Sequence, residues 1–291
     1  MKFGINIPNF GDYWHPKTLV ELAQLAEESG WDGFFVWDHI YGSSEWSVPV
    51  GDRQTSIGSA PYADPYIALA AIATNTKRIH IGTMVTPLAR RRPWKLAREL
   101  VSLDHLSNGR LILGIGLGGT HIEFEAFGEN SDPRARATKL DESLDILMGL
   151  WSGEPFTYVG ENYSLRDVTF KPKPLQAPRI PIWAACFWPN KKPLRRAAQL
   201  DGVVPITEDW TKKVTPNDVM QIRTYISEHR SCTAPYDIVI GGETPADKAN
   251  GREIIQPYAE AGASWWSENI NSWRGPPDEM KEKISHGPPE S

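Results

Sequence analysis

The sequence contains few cysteines and no long apolar run. Its two cysteines, Cys186 and Cys232, lie far apart, which excludes a disulfide framework and the paired spacing of zinc sites. No apolar run reaches the roughly 18 residues that a membrane span needs. The first residues enter a strand pattern at once, without the charged and then apolar order of a secretory signal. We therefore expect a cytoplasmic protein that does not insert into a membrane.

An excess of basic residues is also missing. The chain has 31 Lys and Arg against 36 Asp and Glu, a formal net charge of −5. Proteins that bind nucleic acids need a basic face to neutralise phosphates, so no nucleic-acid partner is expected. The histidines form no H-x-x-x-H pair, and His121-Ile122-Glu123 alone falls short of the three convergent ligands of a catalytic zinc site. We expect no bound metal.

No stretch rich in Pro, Gly and Ser divides the 291 residues into halves. A hydrophobic fraction of 40% with 12 Trp is enough for a sizeable core. We therefore expect one domain over residues 1–291.

Short apolar runs alternate eight times with longer amphipathic segments, as expected for parallel strands that are covered on both faces. The predicted strands are 3–7, 33–37, 79–85, 110–115, 180–185, 202–206, 236–241 and 263–267. Asp64-Pro65, Asp132-Pro133 and Thr215-Pro216 are typical helix starts. The pattern predicts an α/β protein of one domain, a (β/α)8 TIM barrel. Segment 154–170 interrupts the alternation and predicts a hairpin excursion between units four and five.

In such a barrel the chemistry lies at the carboxyl ends of the strands. The segment from Gly114 to Gly119 has the G-x-G-x-x-G pattern of a dinucleotide-binding turn, but it follows the fourth strand and no helix signal comes before Asp132. The pattern therefore disfavours a doubly wound NAD-binding fold. The glycines indicate instead that the backbone closely approaches a flat ligand above the barrel.

Two groups of charged residues follow predicted strands. His39, after Asp38, can exchange a proton with a bound ring, although a rim histidine can also simply fix a loop. Three arginines, at 90–92, precede a helix that starts near Pro93, where cations oppose the helix dipole. An anionic ligand would offset that cost, and a solvated loop is the alternative.

Several segments, in this order, resemble the bacterial-luciferase-like monooxygenases and their deazaflavin-dependent relatives. They are MKFGINIP, DGFFVWDH, RIHIGTMVTPLARRRPWKLAREL, LDHLSNGRLILGIGLGG, EFEAFGE and RATKLDESLDILMGLW. The resemblance covers residues 1–206 well and the rest more weakly. It implies an enzyme, a flavin-dependent oxidoreductase that uses reduced FMN and oxygen on a small organic substrate. The alternative is a dehydrogenase or reductase that transfers hydride with the deazaflavin coenzyme F420.

The same resemblance implies roles for particular residues. His39 and Asp38 would be catalytic. The cofactor would be bound by a strand-three bulge with a cis peptide between residues 84 and 85, by the end of strand four and by a loop after strand five. These cofactor-binding residues are Thr83, Met84, Val85, Gly116, Leu117, Ala185, Cys186, Phe187, Trp188 and Asn190. Two positions depart from the family: Gly119 stands where related sugar-phosphate dehydrogenases tend to carry a glutamate, and Leu117 where luciferases carry an arginine.

The family further implies a separate flavin reductase as partner and a homodimer. Two other functions stay open: a glycoside hydrolase on the same barrel, using Asp38, Glu208 and Glu268, and a flavin-binding paralogue without turnover. Tryptophans of the second half can belong to the core or stack on a ligand. They are Trp183, Trp188, Trp210, Trp265, Trp266 and Trp273.

Overall fold

The computed structural model describes residues 1–209, 211–245 and 247–289. In chain order the strands are β1 (Lys2–Ile7), β2 (Gly33–Val36), β3 (Ser47–Val50), β4 (Arg53–Ser56), β5 (His80–Pro87), β6 (Leu111–Gly116), β7 (Phe156–Val159), β8 (Ser164–Val168), β9 (Ile182–Trp188), β10 (Gly202–Thr207), β11 (Asp237–Gly242) and β12 (Trp265–Asn269). The helices are α1 (Pro16–Glu28), α2 (Pro65–Asn75), α3 (Pro93–Leu106), α4 (Ile122–Glu125), α5 (Pro133–Trp151), α6 (Lys191–Ala197), α7 (Pro216–His229), α8 (Lys248–Ala261) and α9 (Pro277–Ser285). Short 3-10 turns occupy Gly11–Tyr13, Ile57–Ser59 and Leu88–Arg90.

Eight parallel strands close into a barrel in the order β1, β12, β11, β10, β9, β6, β5, β2. They coincide with the eight apolar runs of the sequence, so the predicted (β/α)8 barrel is confirmed. The closed order also excludes an open, doubly wound sheet. Within the described residues, no helix has the length and apolarity that crossing a membrane requires.

The predicted helix starts are confirmed by their hydrogen bonds. Asp64 and Asp132 each accept two backbone N–H groups in the first turns of α2 and α5. Thr215 and Asp218 form a reciprocal capping box at the start of α7. Each start follows a barrel strand or its loop, so the caps fix where the chain turns away from the barrel mouth.

The strands separate two apolar regions. The inner core of the barrel is formed by residues such as Phe35, Ile112, Trp183 and Trp265, while the larger outer core lies between strands and helices. Alternation along a strand therefore decides which residues can face a ligand in the mouth.

Two antiparallel hairpins leave the barrel. β7 and β8 pair between β6 and β9, and the Glu142 carboxylate accepts the N–H groups of Glu161, Asn162 and Tyr163 at their turn. The β3–β4 hairpin after β2 is not foreseen from the sequence. Together with Phe10 and Ile57, its Val48 forms a small separate core beside the mouth.

His80 lies at the bottom of the barrel, with its ring centroid 5.9 Å from that of Trp265. Its Nδ1 is buried and has no partner among the described residues. Burial, together with the charge of Lys2, lowers the pKa of His80 below its ordinary value. The folded protein therefore holds this imidazole neutral.

The low pKa of His80 should make the fold sensitive to acid. The neutral form contributes its full stability above the unfolded pKa of about 6.5, and that contribution is lost as the pH falls through this value towards the folded pKa. Between pH 7.5 and 5.5 we expect the free energy of unfolding to decrease more in the wild-type protein than in His80→Gln. Urea unfolding at both pH values measures this, and equal losses in both proteins would contradict it.

Candidate active site at the barrel mouth

His39 and Glu123 form a hydrogen-bonded pair where β2 ends. His39 Nδ1 lies 2.8 Å from Glu123 Oε1, and the carboxylate also accepts from Arg90 and from the Ile40 N–H. Burial would raise the pKa of Glu123, but the hydrogen bond and charge of His39, followed by the charge of Arg90, hold it below its usual value. Glu123 is therefore an anion in a fully buried position.

An ionised carboxylate only accepts hydrogen bonds, so His39 must carry a hydrogen on Nδ1. Its Nε2 is left without a partner among the described residues, and the side chain is 32% exposed. The imidazole can accept a proton at Nε2 when neutral and donate one when protonated. This is the arrangement of a general acid–base histidine that is oriented by a carboxylate.

Asp38 anchors this pair from behind. Its carboxylate is inaccessible to solvent and accepts from Arg90 at 2.7 Å and from Arg91 at 2.9 Å. Arg91 also packs over the Tyr66 ring, 4.9 Å from its centroid. Guanidinium groups therefore hold both oxygens of Asp38 next to His39.

Two of the three clustered arginines are paired with carboxylates of this chain and not with an anionic ligand. Arg90 and Arg91 meet the carboxylates of Asp38 and Glu123 inside the protein, and the Arg90 side chain is only 4% exposed. The negative charge that offsets their position before α3 comes from the chain itself.

Aromatic rings surround His39 on the barrel side. Phe10 and Trp37 lie with their ring centroids 5.8 Å from the imidazole, and Trp273 lies 6.0 Å from Phe10. Trp273 Nε1 donates to the Ser47 carbonyl, which ties β3 to the loop after β12. Together these rings form an apolar wall around one proton-active group.

The expected cis peptide between Met84 and Val85 is present, at a register shift between Thr83 and Thr86 in β5. Met84 packs against the inner core. Thr83 belongs instead to a buried chain of hydroxyl groups that runs through Thr86 to Tyr66. Met84 therefore faces the mouth, whereas the side chain of Thr83 lies within the wall.

The glycines of β6 make room for this bulge in β5, a close contact within the barrel wall. A Cβ on Gly116 would lie 2.7 Å from Val85 Cγ2, and one on Gly114 would lie 2.1 Å from the Thr83 carbonyl oxygen. Of the glycines between 114 and 119, only Gly119, which follows the strand, has no atom within 4 Å of an added Cβ. The strand itself therefore requires the first two glycines.

Gly114→Ala should destabilise the fold by about 1–3 kcal/mol, since the added methyl group would overlap backbone that cannot move away cheaply. Gly119→Ala is the matched control and should stay within about 0.5 kcal/mol of the wild type. Chemical denaturation of both variants measures the difference. Equal stabilities would show that the close approach of β5 is not what selects glycine.

β9 divides the remaining predicted residues between its two faces. Ala185 packs on the inner core, and Phe187 falls on the same face by alternation. Cys186 belongs to the outer core, and burial raises the pKa of its thiol to about 12, so it is an inert packing residue. Trp188 also lies outside, donating to Asp218.

The rest of the predicted cofactor loop is more exposed. Asn190 is the N-cap residue of α6 and donates to Glu208, while Lys191 lies over the Trp188 ring, 4.5 Å from its centroid. The Leu117 carbonyl accepts from Arg136, and the Leu117 side chain packs against the outer core. Neither Leu117 nor Cys186 offers a side chain to the mouth.

The carboxylates required by a glycoside hydrolase do not meet. Glu268 is fully buried and is held by Thr244, Trp266 and Arg274 on the outer side of β12. Asp38 is held by other arginines, and Glu208 lies on the surface with Asn190.

The tryptophans of the second half divide into two groups. The core contains Trp183, Trp265 and Trp266, whereas Trp188 and Trp273 are partly exposed. Trp210 lies outside the described residues.

Sequence reasoning did not assign Glu123 to the site, and it considered Arg90 only as part of a cluster that could meet an anionic ligand. Glu123 was considered only as part of a weak metal pattern, yet it stands between Ile122 and Phe124 in a short helix, a context in which a charge needs a partner. Within the described residues, no group of three or more His, Cys, Asp or Glu is placed to hold a metal ion.

Comparison with known proteins identifies the family of this chain. The profile of the family described as luciferase-like monooxygenase matches residues 1–222. The chain belongs to this family. Among structures, the luciferase-like fold of this chain superposes on the monooxygenase RslO1 of Streptomyces bottropensis with a TM-score of 0.75, over 98% of this chain and 96% of that one, at 22% sequence identity.

Curated members of the luciferase-like family include enzymes with different cofactors. The chain is 32% identical over 190 residues to an F420-dependent glucose-6-phosphate dehydrogenase of Microbacterium testaceum (strain StLB037), 65% of this chain and 52% of that protein. It is 30% identical over 172 residues to the oxygenase component of the flavin-dependent trigonelline monooxygenase of Acinetobacter baylyi (strain ATCC 33305 / BD413 / ADP1), 59% of this chain and 43% of that protein. The matches therefore span about half the length of these relatives. This chain is thus a member of a family of oxidoreductases and monooxygenases.

Proposed function

We propose that this protein is a luciferase-like monooxygenase that binds reduced FMN at the barrel mouth and acts on a small organic substrate. The observation that carries the proposal is the pair of His39 and Glu123, in which a buried anion orients an imidazole with one free nitrogen. FMN supplies the redox chemistry when bound and, with oxygen, permits the insertion of one oxygen atom into the substrate. His39 moves the proton at Nε2, and the rings of Phe10 and Trp37 form an apolar wall beside it.

The inner wall of the mouth is the surface that we propose for the flat ring of the cofactor. Met84, Val85 and Ala185 are partly buried on the mouth side, and a Cβ on Gly241 would meet no atom within 4 Å. A pocket with apolar walls and few polar groups is typical of cofactor sites. We assign Met84, Val85, Gly116, Ala185 and Phe187 to the ring, and the backbone of 185–190 to the cofactor phosphate.

The second candidate is hydride transfer with F420, without oxygen. It is supported by the identity of 32% to the F420-dependent glucose-6-phosphate dehydrogenase, which is similar to the identity with the flavin-dependent relative. Gly119 occupies the position at which the resemblance places a glutamate. In this chain Glu123 provides a carboxylate beside His39 instead. His39 would then exchange the proton that accompanies hydride transfer.

Titration of the protein with FMN and F420 side by side distinguishes the two. Tight FMN binding and oxygen-dependent turnover support the monooxygenase, for which we also propose a separate flavin reductase as the source of reduced FMN. Preferred F420 binding with turnover under anaerobic conditions supports the dehydrogenase. Binding of neither cofactor would contradict both, and tight binding without any turnover on a substrate panel would favour a non-catalytic paralogue.

A further inference from the structure

Three polar side chains form a hydrogen-bonded row along the rim beside His39. Trp37 Nε1 donates to Asn6 Oδ1 at 2.7 Å, and Asn6 Nδ2 donates to Asn269 Oδ1 at 3.1 Å. Asn6 and Asn269 are register partners in the neighbouring strands β1 and β12, and Trp37 directly follows β2. The ring centroids of Trp37 and His39 are 5.8 Å apart, so the row begins at the proposed proton-transfer group.

The direction of this row follows from its chemistry. An indole N–H can only donate, so Asn6 must turn its oxygen towards Trp37 and its nitrogen towards Asn269. Asn269 must then accept through Oδ1, which leaves its own Nδ2 pointing away from the row. No described residue accepts a hydrogen bond from Asn269 Nδ2, and this group is not sealed from solvent. A fixed, unused donor therefore stands at the end of the row.

The surroundings of this donor are open and partly polar. Ser267 lies two residues earlier on the same inner face of β12, is 2% exposed, and its Oγ has no partner among the described residues. Gly241, the register partner of Ser267 in β11, borders space in which a Cβ would contact nothing within 4 Å. This part of the inner wall therefore presents hydrogen-bonding groups to a space that a ligand can fill.

We infer that Asn269 Nδ2 is a hydrogen-bond donor to a carbonyl oxygen of the ligand bound at the mouth, and that Trp37 sets its direction through Asn6. The inference rests on the proposed function, since it takes the mouth as the ligand site. An ammonium group would meet the N–H of Asn269 and be disfavoured, whereas a carbonyl oxygen would accept from it. The carbonyl belongs either to the pyrimidine-dione edge of a flavin-type ring or to the organic substrate.

Asn269→Asp tests the donor with little change in shape. The new carboxylate still offers an oxygen to Asn6 Nδ2 but replaces the free N–H with a second acceptor. Asn271→Asp is the matched control, because Asn271 Oδ1 accepts from the backbone of Trp273 and Arg274 at 3.1 Å and the substitution retains that oxygen. The control adds the same charge to the same segment.

Affinities are measured by calorimetric titration with FMN, with F420, and with the pair acetophenone and ethylbenzene, which differ in a carbonyl oxygen. We expect Asn269→Asp to lower the affinity for at least one carbonyl compound tenfold or more and to leave the affinity for ethylbenzene unchanged. Loss confined to FMN or F420 assigns the donor to the cofactor, and loss confined to acetophenone assigns it to the substrate. Trp37→Phe should weaken the binding of the same carbonyl compound, because Asn6 is then free to turn.

Unchanged affinities in Asn269→Asp would overturn the inference. An equal loss in Asn271→Asp would also overturn it, since charge and not the donor would then be responsible. Wild-type protein that binds none of the three carbonyl compounds overturns it as well. Failure of FMN and F420 alone to bind contradicts the proposed function, while the acetophenone and ethylbenzene comparison still decides the role of Asn269.

Discussion

A His39→Ala variant is expected to turn over at about one hundredth of the wild-type rate or less, because general acid–base groups contribute about 10²–10⁴-fold. The fold should survive the change. Asn9 binds both the N–H and the carbonyl of His39 through its own side chain, so the loop keeps its backbone contacts. Glu123 also retains Arg90 as a partner.

The measurement is the rate under saturating cofactor and substrate, together with urea unfolding. His286→Ala is the control, since that imidazole is 45% exposed and 3.8 Å from its only charged neighbour within the described residues, Glu282. Unchanged turnover in His39→Ala would remove the proton-transfer role. A lower rate together with a lower free energy of unfolding would show a structural role for His39 instead.

Replacing Arg90 with methionine is expected to destabilise the protein by about 3–5 kcal/mol, the usual cost of leaving buried charges without a partner. Arg90 bonds both Glu123 and Asp38, whose side chains are inaccessible to solvent. Methionine has a similar volume but no charge. The stability of Arg90→Lys should lie between those of the wild type and of Arg90→Met, since one ammonium group cannot reproduce the forked geometry of a guanidinium group.

Lys95→Met is the matched control for Arg90→Met. Lys95 pairs with Glu99 on the surface of α3 and is 67% exposed, so its loss should cost no more than about 0.5 kcal/mol. Guanidinium unfolding of both variants provides the comparison. Similar small losses in the two would mean that the charges at Asp38 and Glu123 are neutralised in another way.

The barrel could be predicted from the sequence because its signals are local. A strand covered on both faces, such as β6, is a continuous apolar run, and Asp64-Pro65 or Asp132-Pro133 marks a helix start by residue type alone. The β3–β4 hairpin gives no such signal. Its strands are four residues each, contain Pro49 and several polar residues, and lie partly exposed.

The site was predictable only in part, because its decisive contacts join distant segments. His39 could be placed by its position after a strand, but its partner Glu123 comes from the short helix α4 after β6, 84 residues later. The arginines were visible as a cluster, yet only the folded chain shows that Asp38 and Glu123 receive them. The role of the β6 glycines was likewise hidden, since Gly116 is explained by Val85 on the neighbouring strand.

The two faces of the barrel wall carry separate tasks. The ionic contacts of Asp38, Arg90 and Arg91 lie behind the rim, whereas Ile206 and Gly241 border the opening and contribute no ionic contact. Selection for new ligand shapes can therefore act on the opening with little penalty to the fold. Substitutions at Ile206 and Gly241 can therefore reshape the opening while the ion pairs of Asp38 stay in place.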